Sequence, residues 1–298
     1  MTTEEAFLAD IRERPDDDAP RLIFADWLED NDQADRAEFI RLMLQITPRA
    51  KEDTRALRDR AGELLVRNWL RWVAPLRDSF GPNPYEPWLS AVPSAGAIDH
   101  FQRGLVAELT LGAPQFLYRS GAIHRLTALT NLSLRQAGGV GKELAGCPEL
   151  QWIRRLSFID YYSSPLEAAD AAWLARSPHL TRLRQLTLFR NNIGDAGASA
   201  LAEAPWLSNL KALDLTENGL SSFGARCLAE APVPVRLRLL SLSMNTLGDE
   251  GAAFLSQAPW LSRLEALSLQ RTGVTSEGVS ALRRRAPFVR IYSDSPLG

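Results

Sequence analysis

Three stretches decide the fold: residues 183–207, LRQLTLFRNNIGDAGASALAEAPWL; residues 210–233, LKALDLTENGLSSFGARCLAEAPV; and residues 237–261, LRLLSLSMNTLGDEGAAFLSQAPWL. Each opens with leucines at period two (Leu186 and Leu188, Leu213 and Leu215, Leu240 and Leu242), the pattern of a short strand with one buried face. Three residues on come Asn191, Asn218 and Asn245, amides able to satisfy backbone groups where the chain leaves the strand. Ile193, Leu220, Leu247 and, one unit later, Val274 re-enter the core, followed by Asp195, Ser222, Asp249 and Ser276 at positions suited to helix N-caps. Gly197, Gly224, Gly251 and Gly278 then recur inside the helix. Glycine there costs about 1 kcal/mol relative to alanine, so its recurrence predicts close packing. Leu201, Leu228, Leu255 and Leu282 face inward, and Pro205, Pro232, Pro259 and Pro287 end the helix.

Outward from this block the Leu-x-Leu element continues: Leu109, Leu132, Leu156, Leu186, Leu213, Leu240 and Leu267 begin successive units, and Val289 to Ile291 read as a capping strand. The unit at Leu156 carries an insertion, DYYSSPLEAAD, containing Tyr161 and Tyr162, and lacks the asparagine. Self-similarity at this period marks a solenoid in which each repeat buries its apolar face only against neighbours. The pattern resembles the leucine-rich-repeat family, in its ribonuclease-inhibitor-like class. The resemblance implies an α/β solenoid over 105–298, of about seven repeats, with parallel strands on the concave side and helices on the convex side.

Residues 1–75 read instead as a small all-α module. Thr2 and Glu5 form a capping box, Pro15 stops the first helix, and the next presents Leu22, Ile23, Trp27 and Leu28. A third is apolar at Phe39, Ile40, Met43 and Leu44, and a fourth, capped by Thr47 before Pro48, at Leu57, Ala61, Leu64, Leu65, Trp69 and Trp72. The strings PDDDAPRLIFADWLED and RAEFIRL are similar to the bacterial repeat-companion N-terminal domain. Residues 76–104, rich in proline, glycine and serine, read as a linker or bridge. Trp69, Trp72 and Trp88 are candidates to dock the module on the first repeat.

Residues 1–100 carry 13 Lys/Arg against 20 Asp/Glu and residues 101–298 carry 21 against 16, so a net −7 precedes a net +5. The formal charge of the whole is −2, which gives no reason to expect nucleic acid or an anionic membrane. Cys147 and Cys227 form no CxxC, so neither a zinc site nor a disulfide framework is expected. The acidic N-terminus has no apolar signal segment, and no run is long enough to span a bilayer, so a cytoplasmic location is expected. Asp26, Glu29 and Asp30 sit beside Arg36 and Arg41 as local ion pairs; His100, His124 and His179 are scattered. No nucleophile-elbow, phosphate-loop or zinc-helix motif is present, so no catalytic residue, cofactor or metal is expected.

The expectation is a non-enzymatic scaffold, monomeric by default, presenting its repeats to a protein partner. Two alternatives stand beside it: a regulator of a partner enzyme such as a nuclease or GTPase, and an adaptor recruiting substrates to an enzyme complex. With the leucines inward, their neighbours face the concave side. The central column there is small: Thr110, Ser133, Ser157, Thr187, Asp214, Ser241 and Ser268. The varied positions around and beyond it are the candidate partner-binding residues: Arg135, Arg155, Ile159, Phe189, Arg190, Asp214, Thr216, Glu217, Ser243, Met244, Gln270 and Arg271. Arginine beside exposed Phe and Met is the composition of a protein-binding hot spot.

Overall fold

A computed structural model describes residues 2–46, 54–80, 101–159, 164–232 and 236–294. The expected cap at Thr47 and Pro48, Trp88, most of the bridging segment, and Asp160 with Tyr161 and Tyr162 lie outside the described residues. The chain divides into two compact units, Met1–Leu111 with Tyr118–Leu132, and Gly112–Leu117 with Ser133–Gly298.

The first unit begins with four helices: α1 (Thr3–Glu13), α2 (Ala19–Asp30), α3 (Ala34–Gln45) and α4 (Arg55–Phe80). The capping box at the start of α1 is complete, with Thr2 N donating to Glu5 Oε2 at 2.8 Å and Glu5 N donating to Thr2 Oγ1 at 3.2 Å. In α2 the buried side chains are Arg21, Phe24, Ala25 and Leu28, an i, i+3, i+4, i+7 stripe. Leu22 and Ile23, expected inside, are exposed. The helix turns the long Arg21 inward because its stem packs as apolar surface while Nη1 donates to the Asp17 carbonyl at 2.9 Å.

Phe24, Leu28, Ala37 and Ile40 form the core with Leu8 and Ile11, and with Leu105 and Ala128 from the far end of the unit. There the chain forms β1 (Phe101–Gln102), β2 (Leu105–Val106) and β3 (Glu108–Gly112), with α5 (Ala113–Leu126) following. Phe101 stands edge-on to Phe39, ring centroids 5.5 Å apart, and packs against Trp69 at 6.1 Å. Arg12 Nη1 donates to the carbonyls of Thr127, at 3.1 Å, and His124. Burial lowers the pKa of this guanidinium below its ordinary value, against opposing attraction from Glu13 and Glu5. At Gly104, whose φ is +86°, a Cβ would lie 2.6 Å from the Ile40 Cα, so only glycine fits.

The remaining strands are β4 (Asn131–Arg135), β5 (Arg155–Phe158), β6 (Gln185–Thr187), β7 (Ala212–Asp214), β8 (Leu239–Ser241), β9 (Ala266–Ser268) and β10 (Arg290–Tyr292). Strands β3 to β10 follow chain order in one sheet. From β5 onward the pairing is parallel and in step: Leu156, Leu186, Leu213, Leu240, Leu267 and Ile291 lie opposite one another in turn. Between the strands run α6 (Gly141–Ala145), α7 (Ala168–Ala175), α8 (Gly194–Ala202), α9 (Ser222–Glu230), α10 (Gly248–Gln257) and α11 (Ser276–Arg285), each stacked on the next.

Polar side chains bind one repeat to another. Asn245 Oδ1 accepts from the backbone N–H of Asn218 at 3.0 Å and of Leu220 at 2.9 Å, and its amide nitrogen donates to the carbonyls of Leu215, Leu242 and Ser243. Asn191 likewise accepts from Leu166 N at 2.8 Å, so it completes the preceding repeat, which has no asparagine of its own. The capping expectation shifts by one residue. Ser221 and Thr275 are the N-caps of α9 and α11, each accepting from the N–H two residues on. Asp195 and Asp249 lie inside their own helices and reach forward to the next repeat: Asp195 accepts from the N–H and hydroxyl of Ser221, Asp249 from those of Thr275. The Thr275 hydroxyl and N–H hold the Asp249 carboxyl below the usual carboxylate range.

The recurrent glycines make room for this. A Cβ at Gly278 would lie 2.3 Å from Asp249 Oδ1, and one at Gly224 would lie 2.4 Å from Asp195 Oδ1.

Candidate functional site

Strand pleating puts the leucines on one face of the sheet and both of their flanking residues on the other. Leu186, Leu213, Leu240 and Leu267 are buried. On the open face, Gln185 and Thr187, Ala212 and Asp214, Leu239 and Ser241, Ala266 and Ser268 alternate across four strands, and Tyr292 stands at the end. Together they line a groove of about 370 Å³. Its walls are mixed: small hydroxyls and one carboxylate along the middle, apolar carbon beside them. Leu239 is 43% exposed and Tyr292 48%, large side chains left in contact with solvent.

Asp214 supplies the charge in the groove. Its Oδ1 accepts from Thr216 N at 2.9 Å and from the Thr216 hydroxyl at 2.5 Å, and that hydroxyl also meets Ser241 Oγ at 2.7 Å. Ser243 Oγ and Ser268 Oγ lie 2.8 Å apart in the same way. Thr216 and Ser243, two of the candidate residues, are therefore buried struts between repeats and not outward-facing contacts.

The column beyond them behaves differently. Arg190, Glu217, Met244 and Arg271 all adopt left-handed backbone, with φ of 58°, 56°, 56° and 55°. Side chains other than glycine and asparagine enter that region at a cost of about 1–2 kcal/mol. An inter-repeat bond offsets it, since the N–H of Arg190, Glu217 and Met244 donates to the carbonyl of Thr216, Ser243 and Gln270 respectively. Arg190 Nε lies 2.6 Å from Glu217 Oε2, and its guanidinium sits 5.2 Å from the centre of the Phe189 ring. Three candidate residues are thus brought into one cluster. Met244, Gln270, Arg271 and Arg155 are exposed, while Arg135 and Ile159 are half-buried on earlier strands.

Of the twelve candidates Asp214 alone lines the groove. The missed residues are Tyr292, which lies beside Ser268 at the end of the central column, and Gln185, Ala212, Leu239 and Ala266, the column before the first leucine. Period-two alternation places that column on the same face as Thr187, Asp214 and Ser241, so the signal was present in the repeat itself.

The first unit holds a smaller cleft of about 230 Å³ lined by Asp32, Gln33, Ala34, Asp35, Arg36, Asn68, Arg71 and Trp72. Three of its polar groups hold helices together: Arg36 pairs with Glu4 at 2.8 Å, and Asn68 Nδ2 donates to Asp35 Oδ2 at 2.8 Å. Among the described residues no cluster of His, Cys, Asp and Glu has the geometry to hold a metal, and no helix is long and apolar enough to cross a membrane.

Residues 177–202, 207–229 and 237–256 match the family model described as Leucine Rich repeat. No curated protein matches the sequence. Among solved structures, an internalin (inlF) from Listeria monocytogenes is similar at 15% identity over 59% of this chain and 65% of that one, with a TM-score of 0.31. The chain thus spans slightly under two thirds of that protein. The Rad7 and Elc1 complex of yeast is similar at 12% identity over 98% of this chain and 86% of that one, with a TM-score of 0.36. The three matched segments lie within the run of in-step parallel strands and stacked helices, so this part of the chain is built of leucine-rich repeats.

Proposed function

We propose that the protein is a non-enzymatic interaction scaffold whose protein partner docks in the open-face groove between β6 and β10. One observation carries this reading: Leu239 and Tyr292 stand exposed in a groove of about 370 Å³ that Thr187, Ala212, Ser241, Ala266 and Ser268 line with small side chains beside Gln185 and the strand leucines, with the Asp214 carboxylate among them. Small walls let a partner approach the sheet closely, the two large side chains supply apolar contact, and the carboxylate favours a partner donor. The Phe189, Arg190 and Glu217 cluster, with Met244 and Arg271, extends this surface. The companion-like module at residues 1–75, the ribonuclease-inhibitor-like class of the repeats, and a cytoplasmic setting belong to the same proposal.

The test is affinity capture from the native cell with the intact protein and with a Leu239→Glu, Tyr292→Ser variant, compared by quantitative mass spectrometry. The expected outcome is loss of a partner captured by the parent, a tenfold or greater drop being ordinary when hot-spot contacts worth about 2 kcal/mol are removed. Identical captured sets, with both proteins folded by circular dichroism, would overturn the groove as the docking surface.

A further inference from the structure

The segments that lead into the strands of the second unit carry charge mainly of one sign. Residues 147–155, 177–185, 204–212, 231–239 and 258–266 together hold eight Lys or Arg and two Glu, in a chain whose formal charge is −2. The segments that leave the strands do not share this. Residues 189–197, 216–224, 243–251 and 270–278 hold two Arg and five Asp or Glu. Positive charge is therefore gathered along one rim of the sheet.

Four of these residues stand in one column. The N–H of Arg184 donates to Arg154 O at 2.8 Å, that of Lys211 to Arg184 O at 2.6 Å, and that of Arg238 to Lys211 O at 2.9 Å. Their backbones are thus about 4.8 Å apart in turn, the spacing of paired strands. Arg184 Nη1 lies 3.4 Å from Asn209 O, and Arg238 Nη1 donates to Leu237 O at 3.1 Å, so both guanidinium groups stay at the strand entries. Lys211 is exposed. Like charges directly opposite one another on paired strands repel. The repeat does not demand them, because Glu265 takes the next place in the column, its N–H donating to Arg238 O at 2.7 Å. Its carboxylate, 4.0 Å from Arg238 Nε, meets one end of the column.

The column adjoins the groove. Arg184, Lys211 and Arg238 immediately precede Gln185, Ala212 and Leu239, which line it. Asp214 lies three residues along the strand from Lys211, about 10 Å at the rise of extended chain. A partner that fits both features sets an apolar side chain against Leu239 and negative charge on the rim, and keeps that charge off Asp214. An extended peptide can do so, since its charge sits on chosen side chains. A nucleic acid carries a phosphate at every unit and would set some of them against Asp214.

We infer that the partner docks through an acidic segment, Asp or Glu beside an apolar residue, with its carboxylates on Arg184, Lys211 and Arg238 and its apolar side chain against Leu239. This rests on the groove being the docking surface.

Selection of random short peptides displayed on phage, against the intact protein, tests it. The selected sequences should be enriched in Asp and Glu next to Leu, Phe or Trp. A selected peptide, labelled and titrated by fluorescence anisotropy, should bind about tenfold or more weakly to an Arg184→Glu, Lys211→Glu variant, and weaken as salt rises. Glutamate fits this column, as Glu265 shows, and circular dichroism checks folding; Arg184→Gln with Lys211→Gln should give an intermediate loss. A selection that returns no peptide, or neutral or basic ones, or acidic peptides indifferent to the rim variant, would overturn the inference. So would a single-stranded oligonucleotide that binds more tightly than any selected peptide. Leu239→Ser, which adds no charge, judges the groove separately. Neutral peptides lost in that variant alone leave the groove standing without the rim, and acidic peptides lost in the rim variant alone leave the rim standing without the groove.

Discussion

Asn245 shows how one side chain can fix a turn. Its amide exchanges five hydrogen bonds with buried backbone, two accepted and three donated, across two repeats. Replacing it with alanine leaves those groups desolvated without partners, each costing about 1–3 kcal/mol less whatever water can recover. Asn245→Ala should lower unfolding free energy by about 3 kcal/mol in urea titration. Asn245→Thr should fall between, because Thr272 occupies the equivalent place in the last repeat and its hydroxyl donates to Leu269 O at 2.6 Å. The left-handed column illustrates a different balance. Arg190, Glu217, Met244 and Arg271 all hold positive φ although none of these side chains favours it, so their identity carries no signal of that conformation. It is imposed by the inter-repeat hydrogen bonds of the N–H groups, a constraint that acts only once the neighbouring strand is in place.

Glycines inside helices differ by what surrounds them. At Gly62 in α4 an added Cβ would meet nothing within 4 Å, whereas at Gly278 in α11 it would meet Asp249 Oδ1 at 2.3 Å and Val274 Cγ1 at 2.8 Å. Gly62→Ala should therefore raise stability by about 0.5–1 kcal/mol, the helix-propensity gain alone. Gly278→Ala should lower it by about 1–3 kcal/mol, because the methyl forces Asp249 away from Thr275. Thermal unfolding of the two variants beside the parent separates the cases, and equal shifts of the same sign would contradict the packing described here. The same comparison explains the misplaced caps. Aspartate one residue inside a helix looks like an N-cap in a single repeat, but the shape of Asp195 and Asp249 serves the repeat that follows, and a linear reading treats each repeat alone.

Across the molecule, stability in the second unit is built from nearest-neighbour contacts. Repeats centred on β6 to β8 have neighbours on both sides, whereas among the described residues β10 pairs with β9 alone. Amide hydrogen exchange should be slowest at Leu186, Leu213 and Leu240 and faster toward Ile291, since protection follows the free energy of local opening. Uniform protection through 186–292 would contradict a stack of separable repeats. The leucine period alone determined the parallel sheet, its register and the inward face, because burial of a period-two stripe has one solution when every unit repeats it. The capping box of α1 was also legible, being a contact between residues three apart. Which face of α2 is buried, which column lines the groove, and why Thr216 and Ser243 are struts were decided by tertiary structure. Each depends on what stands across from the residue in space, which the order of residues along the chain does not record.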